Sequence, residues 1–159
     1  SRGRHSRLMQ NQLLCVGHKP PAWVLEGEAQ FLKRLRPKLQ VQLLSPSNKN
    51  ASDQRKQQEA DAIRAKLAKN AWVIALDERG REYSSRALAE AVTRWQSHGR
   101  PLAFVIGGAD GLDSEFVAAA DATLSLSQQT LPHALVRIFI AEALYRVQSL
   151  QNGHPYHRD

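Results

Sequence analysis

Apolar positions along this chain switch repeatedly between a strand period and a helical one. The run Gln12-Leu-Leu-Cys-Val-Gly17 is apolar and closes on Gly17 and the turn-forming Pro20-Pro21, which predicts a first strand. Val24, Phe31 and Leu35 then share one helical face from Ala22 to Leu35, and Pro37 ends that pattern. Leu39, Val41 and Leu43 alternate with Gln40 and Gln42, as in a half-buried strand. After a polar loop at Ser45 to Ser52, the stretch Asp53 to Lys69 puts Ala60, Ile63 and Leu67 on a single stripe among many charges, predicting a helix with a wide solvated face. Arg55, Lys56, Arg64 and Lys66 belong to that face, where charges usually meet water, although they have the chemistry to touch phosphate.

The second half repeats the scheme with stronger signals. Ala71-Trp-Val-Ile-Ala-Leu76 and Leu102-Ala-Phe-Val-Ile106 are apolar throughout, as strands covered on both faces are. Between them Leu88, Ala91, Val92 and Trp95 fall at i, i+3, i+4 and i+7, with Ser84 or Ser85 placed to cap the helix start. A short helix around Ser114 to Ala120, a last strand at Thr123-Leu-Ser-Leu126 and a long helix from Pro132 through Leu150 complete the order. Five strands interleaved with five helices predict a mainly parallel α/β sheet, whose ligand crevice lies beyond the carboxyl ends of its strands.

Composition narrows the class. At 159 residues the chain suits one core, and no apolar run approaches the roughly 20 residues of a membrane-spanning helix. A single cysteine, Cys15, allows neither an internal disulfide nor a Cys-based zinc site and suggests a reducing compartment, the cytoplasm. The net charge is +7, but residues 1–8 have no apolar period and precede the only methionine, Met9, so they read as a vector-derived extension to a single domain at 9–159. Without Arg2, Arg4 and Arg7 there are 19 basic against 15 acidic residues, a net +4, which favours nucleic acid only slightly over other partners.

Three segments lie just after predicted strand ends: Leu76-Asp-Glu-Arg-Gly80, Gly107-Gly-Ala-Asp-Gly111 and Leu126-Ser-Gln-Gln-Thr-Leu131. Gly107 and Gly108 let main chain approach a ligand, and Gly111 permits a turn at positive φ. Neither Gly-x-Gly-x-x-Gly nor Gly-x-x-x-x-Gly-Lys-Ser/Thr is present, which argues against a nucleoside-triphosphate enzyme. Near the C-terminus, Glu142 and Arg146 stand in the favourable i, i+4 order for an ion pair, and Leu135, Ile138, Phe139, Ala143 and Val147 read as a core stripe. His154, His157, Asp159 and Glu142 make a poor zinc set, with no Cys or further His spacing to complete it, so no metal is expected.

The run Thr130-Leu-Pro-His-Ala-Leu-Val-Arg-Ile-Phe-Ile-Ala-Glu-Ala-Leu-Tyr-Arg146, followed by His154-Pro-Tyr-His-Arg158, closely resembles the end of the bacterial RlmH family, SPOUT-class methyltransferases of large-subunit ribosomal RNA. Leu76-Asp77 with Gly80 and Ser84-Ser85, the segment Phe104 to Leu112, and Met9 to Pro20 resemble the same family's central and first motifs, so the likeness covers residues 9–159. It implies a SPOUT-type, mainly parallel sheet of five to six strands with helices on both faces and a C-terminal trefoil knot. It also implies a homodimer that binds S-adenosylmethionine through Leu76, Gly107, Gly108, Leu126, Ser127, Gln128, Gln129, Thr130 and Leu131. The implied reaction is methylation at N3 of a pseudouridine in helix 69 of large-subunit RNA, within the ribosome, with His154, Tyr156, His157 and Arg158 at the target base. A ribose 2′-O SPOUT methyltransferase and a non-catalytic RNA-binding module are the alternatives. Gln128-Gln129 and Ala143 depart from the residues of many relatives, which leaves main-chain contacts as the dependable ones there.

Overall fold

The structure, a computed structural model, describes residues 9–127, 129 and 131–153. Residues 1–8, Gln128, Thr130 and the catalytic candidates His154, Tyr156, His157 and Arg158 lie outside the described residues.

Five strands, β1 (Asn11–Val16), β2 (Leu39–Leu44), β3 (Trp72–Leu76), β4 (Leu102–Ile106) and β5 (Ala122–Leu124), form one sheet in the order β2-β1-β4-β3-β5. Every pairing is parallel. The helices are α1 (Ala22–Leu32), α2 (Ser52–Lys66), α3 (Ser85–Gln96), α4 (Ser114–Ala119) and α5 (His133–Gln151). Side chains of successive strand residues point to opposite faces, and each face carries its own core. Leu13, Cys15, Ile74, Phe104 and Ile106 pack with Leu88, Val92, Trp95, Ile140 and Tyr145, so α3 and α5 cover one face. Leu14, Val16, Ala75 and Val105 pack with Ala60, Ile63 and Phe116, which puts α2 and α4 on the other. The connections β1 to β2 and β3 to β4 move the same way across the sheet, whereas β2 to β3 and β4 to β5 return over the opposite face, as a single crossover hand requires.

Polar side chains close the ends of the buried strands. Gln12 donates through Nε2 to Lys66 O (2.9 Å) and accepts from Ala68 N (2.8 Å), tying the last turn of α2 to β1. Ser84, not Ser85, caps α3 by accepting from Ala87 N at 3.1 Å. Asp113 does the same for α4 by accepting from Phe116 N.

Three expectations are corrected. In β2, Leu43 is 43% exposed and Leu44 is buried, because this edge strand packs its two ends instead of a strict alternate row. The last strand stops at Leu124; beyond it Ser125 makes only an isolated bridge to Glu82, and its hydroxyl faces Glu78 O (3.2 Å) and Ser127 O (3.0 Å). The apolar stripe of α5 is not core as a whole: Val147 is buried, but Leu135, Ile138 and Ala143 are half-buried and Phe139 is 41% exposed. The residues α5 does bury are Arg137, Ile140, Ala141, Tyr145, Val147 and Ser149. A long helix with apolar residues on several sides can be turned in more than one way, and here the buried side is the one that carries Arg137.

Arg137 forms a two-point ion pair with Glu28 of α1, Nε to Oε2 at 3.1 Å and Nη2 to Oε1 at 2.6 Å, with side-chain exposures of 8% and 4%. Cys15 lies within the influence of that pair, but burial dominates and pushes its thiol up to about 12. The neutral thiol is a poor nucleophile. Folded protein at pH 8 is therefore expected to react with a thiol reagent at least 10²-fold more slowly than denatured protein, an outcome that a simple absorbance assay checks.

Candidate functional site

A cavity of about 510 Å³ opens beyond the carboxyl ends of β3, β4 and β5. Leu76, Asp77, Glu78 and Arg79 line it after β3, residues 106–112 after β4, and Leu126, Ser127, Gln129 and Leu131 after β5. Lys56 of α2 and His133 and Val136 of α5 close the sides. All three predicted strand-end segments thus meet in one place, where the sheet architecture puts ligands. Of the nine predicted cofactor residues, Leu76, Gly107, Gly108, Leu126, Ser127, Gln129 and Leu131 line this space, and Gln128 and Thr130 lie outside the described residues.

Each loop is held by its own hydrogen bonds. Asp77 N donates to Leu124 O (3.1 Å), Gly80 N donates back to Asp77 O (2.8 Å), and Arg79 N donates to the Asp77 carboxylate (2.9 Å), fixing a tight turn. Ser127 accepts from Gln129 N at 2.9 Å. The β4 loop folds on itself, with Gly111 at φ +84° donating from its N–H to Gly108 O at 3.0 Å. A Cβ at residue 107 would stand 2.7 Å from the Gly111 carbonyl carbon and 2.8 Å from Leu112 N. Glycine is required there by the loop's own main chain, a reason different from the ligand approach that the sequence suggested. At residue 108 a Cβ would stand 2.9 Å from a Glu59 carboxylate oxygen.

Helix α2 grips that loop at two points one turn apart, which corrects the reading of Arg55 and Lys56 as part of a purely solvated face. Arg55 Nε donates to Asp110 Oδ2 at 2.7 Å, while Arg55 Nη1 donates to Lys49 O (3.0 Å) and Asn50 O (2.7 Å). The pair holds the Asp110 carboxyl below its ordinary range, chiefly through this hydrogen bond, and raises Arg55 for the same reason. Buried Glu59 sits under Gly108 and accepts from Ser47 N at 2.9 Å. Lys56, between them, faces the cavity. The sequence held one usable signal, Arg55 and Glu59 at i and i+4 beside an apolar stripe, but their partners are distant in the chain. Glu142 and Arg146 do pair as expected, Oε1 to Nε at 3.0 Å.

The site can hold a folded small molecule. Aliphatic groups of Leu76, Leu126, Leu131 and Val136 share its lining with three loops of polar main chain, and its volume is in the range of cofactor sites. Among the described residues no three His, Cys, Asp or Glu side chains are grouped to hold a metal, and no helix is long and apolar enough to cross a membrane.

Comparisons with known proteins agree with this geometry. The family model described as "Predicted SPOUT methyltransferase" matches residues 9–157. The chain is 46% identical over 151 residues to the ribosomal RNA large subunit methyltransferase H of Burkholderia ambifaria, covering 92% of this chain and 97% of that protein. It is 45% identical over 155 residues to the protein of the same name from Burkholderia vietnamiensis, covering 94% and 99%. Among solved structures, a probable methylase family protein from Haemophilus influenzae superposes with a TM-score of 0.52 at 18% identity, covering 94% of this chain and 70% of that one, a likeness of fold. With strand-end loops, sheet order and sequence all in agreement, the chain belongs to the RlmH family of SPOUT methyltransferases.

Proposed function

We propose that this chain transfers a methyl group from S-adenosylmethionine to N3 of a pseudouridine in helix 69 of large-subunit ribosomal RNA, acting as a homodimer on the ribosome in the cytoplasm. The observation that carries the reading is the meeting of the three strand-end loops on one cavity, in a chain 46% identical to a ribosomal RNA methyltransferase. The residues present suit the cofactor: Leu76, Leu126, Leu131 and Val136 would supply apolar contact and the main chain at Gly107, Gly108, Ser127 and Gln129 would supply polar contact, with Gln128 and Thr130 proposed as further contacts. When bound, the cofactor supplies an electrophilic methyl group on a sulfonium.

The protein's tasks are alignment and proton removal. Formation of the N3–methyl bond is matched by loss of the sulfonium–methyl bond to give a neutral thioether, and the N3 proton passes to a neutral His154 or His157 near physiological pH. Tyr156 stacks on or orients the base, and Arg158 holds phosphate or the negative charge that develops on the base.

Chain length supports supply of this tail by a second copy. Helix α5 starts on the cavity wall at His133 and ends eighteen residues later at Gln151, where Gln151 Nε2 donates to Thr93 and Gln96 at the far end of α3. At about 1.5 Å per residue the helix carries the chain some 27 Å from its own cavity. Residues 152 to 156, even fully extended, retrace only about 18 Å, which leaves His154 and Tyr156 short of that cavity with their side-chain lengths included. The half-exposed Phe139 and the 56% exposed Trp23 offer apolar surface for such a pairing.

The test is methylation of purified ribosomal subunits with labelled cofactor, followed by mass spectrometry of RNA fragments. The expected product carries the methyl on N3 of pseudouridine, and subunits with uridine at that position react at least tenfold more slowly. A methyl on a ribose 2′-oxygen would replace this reading with the 2′-O alternative.

A further inference from the structure

Cations in the loops at the carboxyl end of the sheet are unevenly matched. On the β3 side, Arg79 lies 3.5 Å from the Asp77 carboxylate and the Arg81 guanidinium stacks over Tyr83 at 5.0 Å, so both have a local partner. On the opposite side, the loops after β1 and β2 present Lys19 and Lys49, both exposed, and among the described residues no carboxylate lies within 4.0 Å of either. These loops start side by side, because Val16 pairs with Leu44 and Gly17 N donates to Leu44 O at 2.9 Å.

The β2 loop is also held in place. Its Ser47 N–H is bound by Glu59, and its Lys49 and Asn50 carbonyls are bound by Arg55, which at the same time holds Asp110 on the cavity wall. Lys49 is therefore only one guanidinium away from the cavity lining, with Lys56 next to that guanidinium and facing the cavity itself. A cation on an anchored loop loses less freedom on binding than one on a free loop.

Building on the RNA methyltransferase reading, we infer that Lys19, Lys49 and Lys56 form the phosphate-docking edge of the site, seating the RNA backbone on the β1–β2 side while the target base enters between the strand-end loops. Lys19 and Lys49 have no carboxylate within 4.0 Å among the described residues, and Lys56 has only the exposed Asp53 at 3.7 Å. Weakly matched cations beside a concave site attract a polyanion, and each phosphate contact releases counterions. Lys19 and Lys49 lie outside the cavity lining, so their contribution is separable from cofactor affinity.

The experiment compares the double variant Lys19→Gln/Lys49→Gln with a control of equal charge change, Lys38→Gln/Arg94→Gln, at the opposite, amino end of the strands. Lys38 stands immediately before β2 and Arg94 in the last turn of α3, both exposed. With ribosomal subunits as substrate, the site variant is expected to raise KM roughly tenfold with kcat within about twofold, and to reduce the slope of log affinity against log salt by about 1.5, at about 0.7 to 0.9 per lost phosphate contact. Its affinity for S-adenosylmethionine, measured by calorimetry, is expected to match wild type. A site variant that keeps wild-type KM and salt slope, or changes no more than the control, would overturn the docking edge while leaving the methyltransferase reading intact. Wild-type protein that binds the cofactor but neither binds nor methylates ribosomal RNA would overturn both together.

Discussion

Deletion of residues 154–159 is expected to reduce methyl transfer by about 10³-fold or more, with S-adenosylmethionine affinity and most thermal stability retained. General acid–base catalysis alone is worth roughly 10² to 10⁴-fold, and loss of base alignment adds to it. The cofactor loops and both packed faces of the sheet lie within residues 9–153, so the truncated chain keeps what binding and folding require. Turnover on ribosomal subunits and calorimetry with the cofactor check the two halves separately. Retained turnover would remove His154, Tyr156, His157 and Arg158 from the chemistry, and joint loss of folding and cofactor binding would make the tail a structural tie. Mixing truncated chains with full-length chains carrying a disabled cofactor loop tests the reach argument, because activity should return only if one copy's tail serves another copy's cavity.

The second large effect concerns stability. Arg137→Ala leaves the Glu28 carboxylate buried at 4% side-chain exposure with neither of its two guanidinium bonds. Stranding one member of a buried pair costs about 3–5 kcal/mol, which for a domain of this size lowers Tm by roughly 10 °C. Replacing both partners, Glu28→Leu with Arg137→Met, removes the stranded charge and is expected to recover more than half of that loss. Thermal melts of the three variants decide the matter: a double variant no better than Arg137→Ala would mean that packing around the guanidinium, and not charge pairing, holds α1 to α5.

Much of the architecture was legible because burial on both faces leaves a simple trace. β3 and β4 read as continuous apolar runs, α3 shows a full i, i+3, i+4, i+7 stripe, and Ser84 or Ser85 announces its start, with the structure choosing Ser84. The convergence of three loops followed from the parallel α/β order, since parallel strands deliver their carboxyl ends to one edge. The signal failed where a segment had more than one place to go. β2, at the sheet edge, buries Leu39 and Leu44 and exposes Leu43, and α5 buries Arg137 while leaving Phe139 half in solvent.

By itself, then, the amino-acid order determined the element sequence, the parallel sheet and the three segments that would surround a ligand, because local period and strand-end position depend on neighbours a few residues apart. Only the tertiary structure decided which charges meet. Glu28 and Arg137 are 109 residues apart, Arg55 and Asp110 are 55 apart, and no local pattern separates such a charge from one facing water. It also showed why residue 107 is glycine: the Gly111–Leu112 main chain occupies the space a Cβ would need, in a loop that Arg55 of α2 holds through Asp110.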